Sequence, residues 1–417
     1  MVRKRWVWGI AIGTLLLGVV LLWLYSHKLW SGAAEQRLDS LLATQSTAPT
    51  ATTIADTSAA LSPLLKPEPA ELTIGWETAR GLPPRCHHCI AIALIGVDSR
   101  LHDPTPHADA NHVLLLDLQA GRITIVAIPR DTPADAGFPD TSQYNKLANV
   151  RPQRGLRAHL ATLAALVGIP EIHYYAELGF SQAFAILRLL RFDNPSNVLR
   201  LLRARTGIWG DDYHRVYVQA HFIRQQLLRW FHAYNTPWGL ALLRGGLSLV
   251  QTNLTAGVLT RLADSLHARG FPADSSAISI VVYGAPLRRV PVYDLSDSTT
   301  VATLVERLQS HYQRRHPAPN SGRNSERVRA ILNTALAHAR QAAERNRFQE
   351  VIRHLLPLLR QRAWWQLDNP DERAYYRTEF VELLSHSYEQ LRQPHRATLL
   401  RTHFLQQEQA LEDSIAP

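Results

Sequence analysis

The chain has 417 residues, a formal net charge of +10 and only two cysteines. That length is enough for two domains, and two cysteines exclude a disulfide-rich scaffold. Nearly all the basic residues are arginine, with lysine only at Lys4, Lys28, Lys66 and Lys146. A GC-rich coding bias explains most of that excess, while a basic surface favours anionic partners such as lipid head groups, phosphates and wall polymers. No motif that reads DNA is present, and nucleic acid is not an expected partner.

The N-terminus reads Met-Val-Arg-Lys-Arg and continues as an apolar run from Trp6 to Tyr25 without a charge. A run of that length spans roughly 30 Å as a helix, the thickness of a bilayer's hydrocarbon core. Arg3, Lys4 and Arg5 precede it and only Lys28 follows closely, which places the N-terminus in the cytoplasm and the rest outside. The run is longer than the apolar part of a signal peptide, and no A-x-A-like site follows at once, so residues 1–28 are expected to be an uncleaved single-pass anchor. Trp23, Tyr25 and Trp30 would form its outer aromatic belt. Residues 29–88 begin with a stretch rich in Ala, Thr, Ser and Pro, which has little to bury and is expected to be a flexible extracytoplasmic stem.

From Ile90 the pattern changes. Ile90 to Val97, Val113 to Leu118 and Ile123 to Ile128 are short apolar runs that predict buried strands, the last two joined by a hairpin turn at Gln119–Arg122. Helical periodicity follows from Leu156 to Val167 and stops at Gly168-Ile-Pro. Ile172 to Glu177 and Ala277 to Tyr283 predict further strands; Phe180–Leu190, Gln219–Tyr234, Ala256–Ala268 and Thr300–Arg314 predict helices. The alternation implies an α/β (α+β layered) domain over residues 89–316, closed by the linker-like His316-Pro-Ala-Pro-Asn-Ser-Gly. Residues 317–417 form a helical C-terminal region, helical throughout 325–410, that resembles degenerate tetratricopeptide repeats with an interruption near Trp364, Trp365 and Pro370. A plain helical hairpin packed on the main domain is the other reading. Truncation after about Pro317 is expected to leave a folded domain.

Four segments carry candidate chemistry: Gly96-Val-Asp98-Ser-Arg100, His107-Ala-Asp109, Ile128-Pro-Arg130-Asp131-Thr132, and Arg203-Ala-Arg205 with Arg215 and Gln219 beyond it. Three sit at strand ends, where layered α/β domains form their binding crevice. Arg203 and Arg205 share a face if extended, and Arg215 and Gln219 share one on a helix. Arginine forks match phosphate oxygens bidentately, and paired aspartates suit Mg²⁺ shared with phosphates. The chemistry suggested is the handling of a diphosphate. Singly, each segment has a plainer reading as a turn, a cap or a solvated surface group.

Taken together, these segments resemble the LytR–CpsA–Psr family of bacterial envelope proteins. Gly96-Val-Asp98-Ser-Arg100, His107-Ala-Asp109-Ala110, Ile128-Pro-Arg130-Asp131-Thr132, Lys146-Leu-Ala-Asn149 and Arg203-Ala-Arg205 with Arg215 and Gln219 stand where that family has its motifs. The resemblance covers about residues 89 to 312 and implies a central sheet flanked by helices. It implies transfer of a glycopolymer from undecaprenyl pyrophosphate to peptidoglycan, assisted by Mg²⁺ (or Mn²⁺) held by Asp98 and Asp109. By the same resemblance Arg130, Arg203 and Arg205 join those aspartates as catalytic residues, while Arg100, His107, Asp131, Lys146, Arg215 and Gln219 bind substrate. The prenyl tail would thread an apolar channel beneath the sheet. His107 stands where the family usually has Arg, and the segment between Phe180 and Arg203 is much shorter than usual. The reading from another class is a non-catalytic binder of polyprenyl pyrophosphate that recruits a protein partner through residues 325–410. Cys86-His-His-Cys89 lacks a second pair to complete a zinc site, leaving a tight disulfide or two free thiols. Asn253-Leu-Thr255 matches a glycosylation acceptor by chance.

Overall fold

A computed structural model of the chain describes residues 75–79, 88–98, 106–204, 211–285, 288–315 and 323–415. The expected membrane anchor, most of the stem, Cys86, Arg100, Arg205 and the linker at 316–322 lie outside the described residues. Among the described residues no helix is long and apolar enough to cross a membrane.

The core is a mixed six-stranded sheet flanked by helices, in agreement with the expected layered fold. Its strands are β2 (Ile90–Asp98), β3 (His107–Asp117), β4 (Arg122–Ile128), β5 (Tyr174–Leu178), β6 (Gln251–Thr252) and β7 (Ile278–Val282), in the order β6-β5-β2-β3-β4-β7. The three apolar runs form the antiparallel centre β2-β3-β4, with β5 and β7 added in parallel on either side. Both faces are buried, which is why these strands read as near-continuous apolar runs. Ala91, Ala93, Ile95, Val113, Leu115 and Val126 pack with Leu147, Leu163 and Val167 of helix α1 (Leu147–Val167). On the other face Ile90, Ile92, Leu114, Leu116, Ile123 and Ile125 pack beneath Val216, Tyr217 and Ala220 of the long helix Asp212–Trp230.

Several elements differ from expectation. β3 begins at His107, well before its apolar run, because the polar half His107-Ala-Asp-Ala-Asn-His pairs with the end of β2. α1 starts at Leu147 and runs on across Gly155, whose φ of 81° kinks it; the expected start at Leu156 is the segment after that kink. Residues 75–79, assigned to the stem by composition, form strand β1 (Gly75–Ala79), which pairs antiparallel with β8 (Arg288–Val292) in a separate two-stranded sheet. The reason is tertiary: a short strand next to a Pro-rich stretch has no pattern of its own until a distant partner supplies its hydrogen bonds.

After β5 come α2 (Phe180–Leu189), α3 (Pro195–Arg203), α4 (Asp212–Trp230), α5 (Pro237–Leu249), α6 (Ala256–His267) and α7 (Ser298–Arg315). α3 is capped by the Asn194 side chain, which accepts from the Asn197 amide, with Pro195 at its first turn. Phe184, Leu187, Val198 and Leu201 pack with Leu304 and Leu308 to join α2, α3 and α7. Beyond them lie α8 (Arg323–Glu344), α9 (Phe348–Arg360), α10 (Pro370–Gln390), α11 (Pro394–Thr398) and α12 (Leu405–Ile415). Asn346 and Arg392 turn the chain between them with positive φ. The core of this helical region is shared: Ala185 and Leu189 of α2 and Leu249 of α5 belong to the same buried cluster as Trp364, Trp365, Phe380 and Leu411.

Candidate functional site

The site forms at one end of the central strands, and a β-bulge shapes it. Gly96 pairs with Ala110 and Val97 with Ala108, so Asp109 is the extra residue on β3. A bulge leaves its residue outside the ladder and re-aims the side chain. Here the Asp109 carboxylate meets Nη1 of Arg130 in an ion pair. Gly96 is needed opposite, because a Cβ built there would lie 3.0 Å from the Ala110 Cβ.

Arg130 stands in the turn that follows β4, closed by Thr132 N donating to Pro129 O at 3.1 Å. The turn is stitched to the start of α1: Ala148 N donates to Arg130 O and Leu147 N to Thr132 O, each at 2.9 Å. These bonds satisfy amides that a helix start otherwise leaves open. They also set Lys146 beside Asp131, with Nζ 2.8 Å from Oδ1. Arg130 Nε lies 3.8 Å from the same Asp131 oxygen and is buried without a hydrogen-bond acceptor. A guanidinium with one edge held by Asp109 and an unsatisfied Nε has donor capacity to spare.

Asp98, at the end of β2, accepts from Arg203 Nη2 at 3.1 Å. Arg203 is half exposed and its guanidinium lies 4.7 Å above the Phe180 ring. The extended-chain reading of Arg203 is corrected: it is the last residue of α3 and reaches the site from a helix end. The reason is local, since Asn194-Pro195 starts a helix whose apolar face, Val198, Leu199 and Leu201, must be buried.

His107 stands opposite Asp98 in the ladder. Its Nδ1 lies 3.0 Å from Asn149 Oδ1, and Asn149 Nδ2 donates to Tyr144 O at 2.7 Å. With the amide turned that way, His107 Nδ1 is the donor.

Arg215 and Gln219 share one side of α4, as their spacing predicted. Arg215 is 4% exposed and its Nη2 lies 2.6 Å from Asp212. Gln219 donates to Leu202 O at 2.8 Å, which turns its oxygen toward His112 Nε2 at 3.3 Å. Burial, together with the nearby charge of Arg215, pushes the His112 pKa down to about 4, against the hydrogen bond to the Gln219 oxygen, which raises it. His112 is therefore neutral at pH 7.

Sequence reasoning missed this second tier. Asn111 Oδ1 lies 2.8 Å from His159 Nε2, and Arg151 grips Glu177 through Nε and Nη2 at 2.7 and 2.9 Å. On the opposite face Glu77 of β1 accepts from Tyr217 and Arg224 of α4, with His221 beside it. Burial raises the Glu77 pKa, but the hydrogen bonds from Arg224 and Tyr217 outweigh it and the net shift is downward. The alternation of polar residues in His107-Ala-Asp-Ala-Asn-His was the one available signal for Asn111 and His112.

Burial also pushes His159 and His221 down to about 4, helped by Arg151 and Arg224 respectively. A folded-state histidine pKa below the unfolded value stabilises the fold above the unfolded pKa. That stability is lost as pH falls through the window between 6.5 and about 4, because the unfolded chain takes up protons first. The thermal midpoint is expected to fall steadily across that window, measured by circular dichroism at constant ionic strength. His112→Gln should make the fall shallower.

Among the described residues no group of three or more His, Cys, Asp or Glu could hold a metal ion alone. What the site offers is two carboxylates, Asp98 and Asp109, each about one-quarter exposed. That is a donor set Mg²⁺ accepts when waters and substrate phosphates complete its octahedron. Cys89, just before β2, is disulfide-bonded, which removes it from any zinc site.

The model of the LytR_cpsA_psr family matches residues 77–187. The matched segment is similar to the LytR–CpsA–Psr family, which its motifs resemble. It contains Asp98, Asp109, Arg130, Asp131 and Lys146; Arg203, Arg215 and Gln219 lie beyond it. Among solved structures, TagV of B. subtilis is similar with 18% identity and a TM-score of 0.40, over 54% of this chain and 96% of that one. A transcriptional regulator of Enterococcus faecalis has 17% identity and a TM-score of 0.36, over 53% and 88%. TagT bound to LIIa-WTA has 12% identity and a TM-score of 0.34, over 53% and 90%. No curated protein sequence matches the chain.

Proposed function

We propose that this chain is a membrane-anchored phosphotransferase that attaches an undecaprenyl-pyrophosphate-linked glycopolymer to peptidoglycan. The observation that carries the reading is the bulge-aimed Asp109–Arg130 pair lying at the same strand edge as the Asp98–Arg203 pair. Both pairs are partly open to solvent, and both couple a carboxylate to a guanidinium with further donors. A diphosphate brings strong acceptors for the arginines and completes the oxygen set for a cation between the aspartates.

In this reading Arg130 turns its Nε edge and Arg203 its exposed edge to the pyrophosphate oxygens, with Lys146 adding a mobile point charge. Asp98 and Asp109 would hold Mg²⁺ or Mn²⁺. The ion would supply charge neutralisation at the diphosphate and ease departure of the lipid phosphate. The acceptor is a sugar hydroxyl of peptidoglycan, whose oxygen bonds to the phosphorus carrying the glycopolymer while the bond to the polyprenyl phosphate breaks. No protein nucleophile is required, so positioning and preorganised charge provide the catalysis. Gln219 supports His112 and α3 through its hydrogen bonds, and buried Arg215 supplies positive charge beneath them. Arg100 and Arg205 complete the substrate set in this proposal. The Trp6–Tyr25 run anchors the chain with its folded part on the extracytoplasmic side, where the wall substrate is.

The test is mass spectrometry of lipid extracted from the purified full chain. Copurified polyprenyl pyrophosphate is the expected result, and its loss in Asp109→Asn would tie it to this site. A chain that carries no prenyl lipid and takes up none on incubation would overturn the proposal.

A further inference from the structure

The other end of α4 carries a different surface. Trp230 and Trp238 lie with ring centroids 5.3 Å apart, and Phe231 and Tyr234 are 5.3 Å apart beside them. Arg229 is exposed, with its guanidinium 5.2 Å over the Trp230 ring. Trp238 opens α5, a helix of sequence PWGLALLRGGLSL in which only Gly239 and Leu249 are buried. Leu240 and Leu243 join none of the hydrophobic cores. Beside them a cavity of about 310 Å³ is lined by Leu240, Arg244, Ala256, Gly257, Thr260 and Arg261. The sequence contains no Asp or Glu between Asp212 and Asp264. Arg229 and Arg244 are exposed, Arg261 lines the cavity, and Asp264 accepts from the Tyr234 hydroxyl at 2.8 Å.

An apolar helix left half exposed, rimmed by indoles, a phenol and arginines, has the composition of a membrane interface. The exposed Arg229 and Arg244 complement an anionic bilayer, which supplies negative charge from outside. We infer that the 229–244 surface is a peripheral membrane-docking face that lies on an anionic bilayer. Trp238 and Leu240 enter the head-group region, and the exposed Arg229 and Arg244 meet lipid phosphates. This inference goes beyond the transferase reading and uses none of its residues. α4 is 19 residues long, so the docking face and the Arg215 end of the helix stand roughly 25 Å apart. Docking would fix the height of the candidate site above the bilayer, a constraint a single anchor does not impose.

The experiment is hydroxyl-radical footprinting of the full chain in nanodiscs, read residue by residue by mass spectrometry. Trp238 labelling should fall in discs containing phosphatidylglycerol relative to discs of phosphatidylcholine alone. Tyr375, 47% exposed on the distal helical region, should label equally in both. Each arginine near an anionic surface contributes about fivefold to docking. Arg244→Gln alone, at an exposed position, should thus weaken protection about fivefold, and the double variant with Arg229→Gln, also exposed, about twenty-five-fold. Buried Trp365 should stay unlabelled throughout and reports that each variant is folded. Equal Trp238 labelling in the two lipid compositions would overturn the inference, as would protection of Tyr375 alongside it. Protection that grows with protein concentration in lipid-free detergent would assign the face to a second copy of the chain and likewise overturn it.

Discussion

Arg130→Ala should abolish binding of polyprenyl pyrophosphate, and Arg130→Lys should restore little of it. The substitution acts twice. It removes the donors that the proposed function gives to the diphosphate, and it releases the Asp109 carboxylate, which is held by Arg130 Nη1 at a bulge. Loss of a charge-assisted bidentate contact in a partly desolvated site costs at least about 2 kcal/mol, or roughly thirtyfold in affinity. Freed Asp109 then repels the incoming phosphates and adds to that cost. Lysine restores a charge but has no planar fork to span Asp109 and a phosphate together. The measurement is titration calorimetry with a short-chain polyprenyl pyrophosphate, with thermal melting as the fold control. Wild-type affinity in Arg130→Ala would place the lipid elsewhere.

Glu408→Ala should produce the largest loss of stability. Glu408 is 1% exposed, and its Oε2 accepts from the indole nitrogens of Trp364 and Trp365 at 3.2 and 3.0 Å. Its Oε1 pairs with Arg362 Nε at 2.8 Å. Burial pushes the Arg362 pKa down while Glu408 holds it up. Without Glu408 an enclosed guanidinium loses its counter-charge and two indole N–H groups lose their acceptor. Breaking a buried pair from one side costs about 3–5 kcal/mol, which should lower the thermal midpoint by about 5–10 °C. Glu408→Gln keeps one acceptor oxygen and the side-chain volume, and should fall between. An unchanged midpoint in Glu408→Ala would mean that water enters and solvates the cluster.

That network also bears on how separable the helical region is. Arg362 Nη1 donates to Ser248 O at 2.6 Å, Arg188 donates to the carbonyls of Trp365 and Leu367, and Gln366 donates to Ser181 at 3.0 Å. Removing residues 317–417 would strip cover from α2 and α5 and uncover Ala185, Leu189 and Leu249. The composition at 316–322 marks a linker, yet the core it separates is continuous on both sides.

The sequence by itself determined the central strands, because β2, β3 and β4 are buried on both faces and must be apolar throughout. It also determined that Ile-Pro-Arg130-Asp131-Thr and Gly-Val-Asp98 stand where strands end. It determined that Arg215 and Gln219 share a helix side, because a spacing of four fixes that wherever a helix forms. Only the tertiary structure decided what each of those side chains touches. The bulge at Asp109 exists because two strands of unequal residue count are paired, and no local pattern in β3 announces it. Arg203 reaches Asp98 from a helix end because the apolar face of α3 must be buried against α2 and α7. β1 has a place only because β8, more than two hundred positions later, offers it hydrogen bonds. Local periodicity encodes which face of an element is apolar; the partner that covers the face is a long-range choice, made by packing and by the need to satisfy every buried polar group.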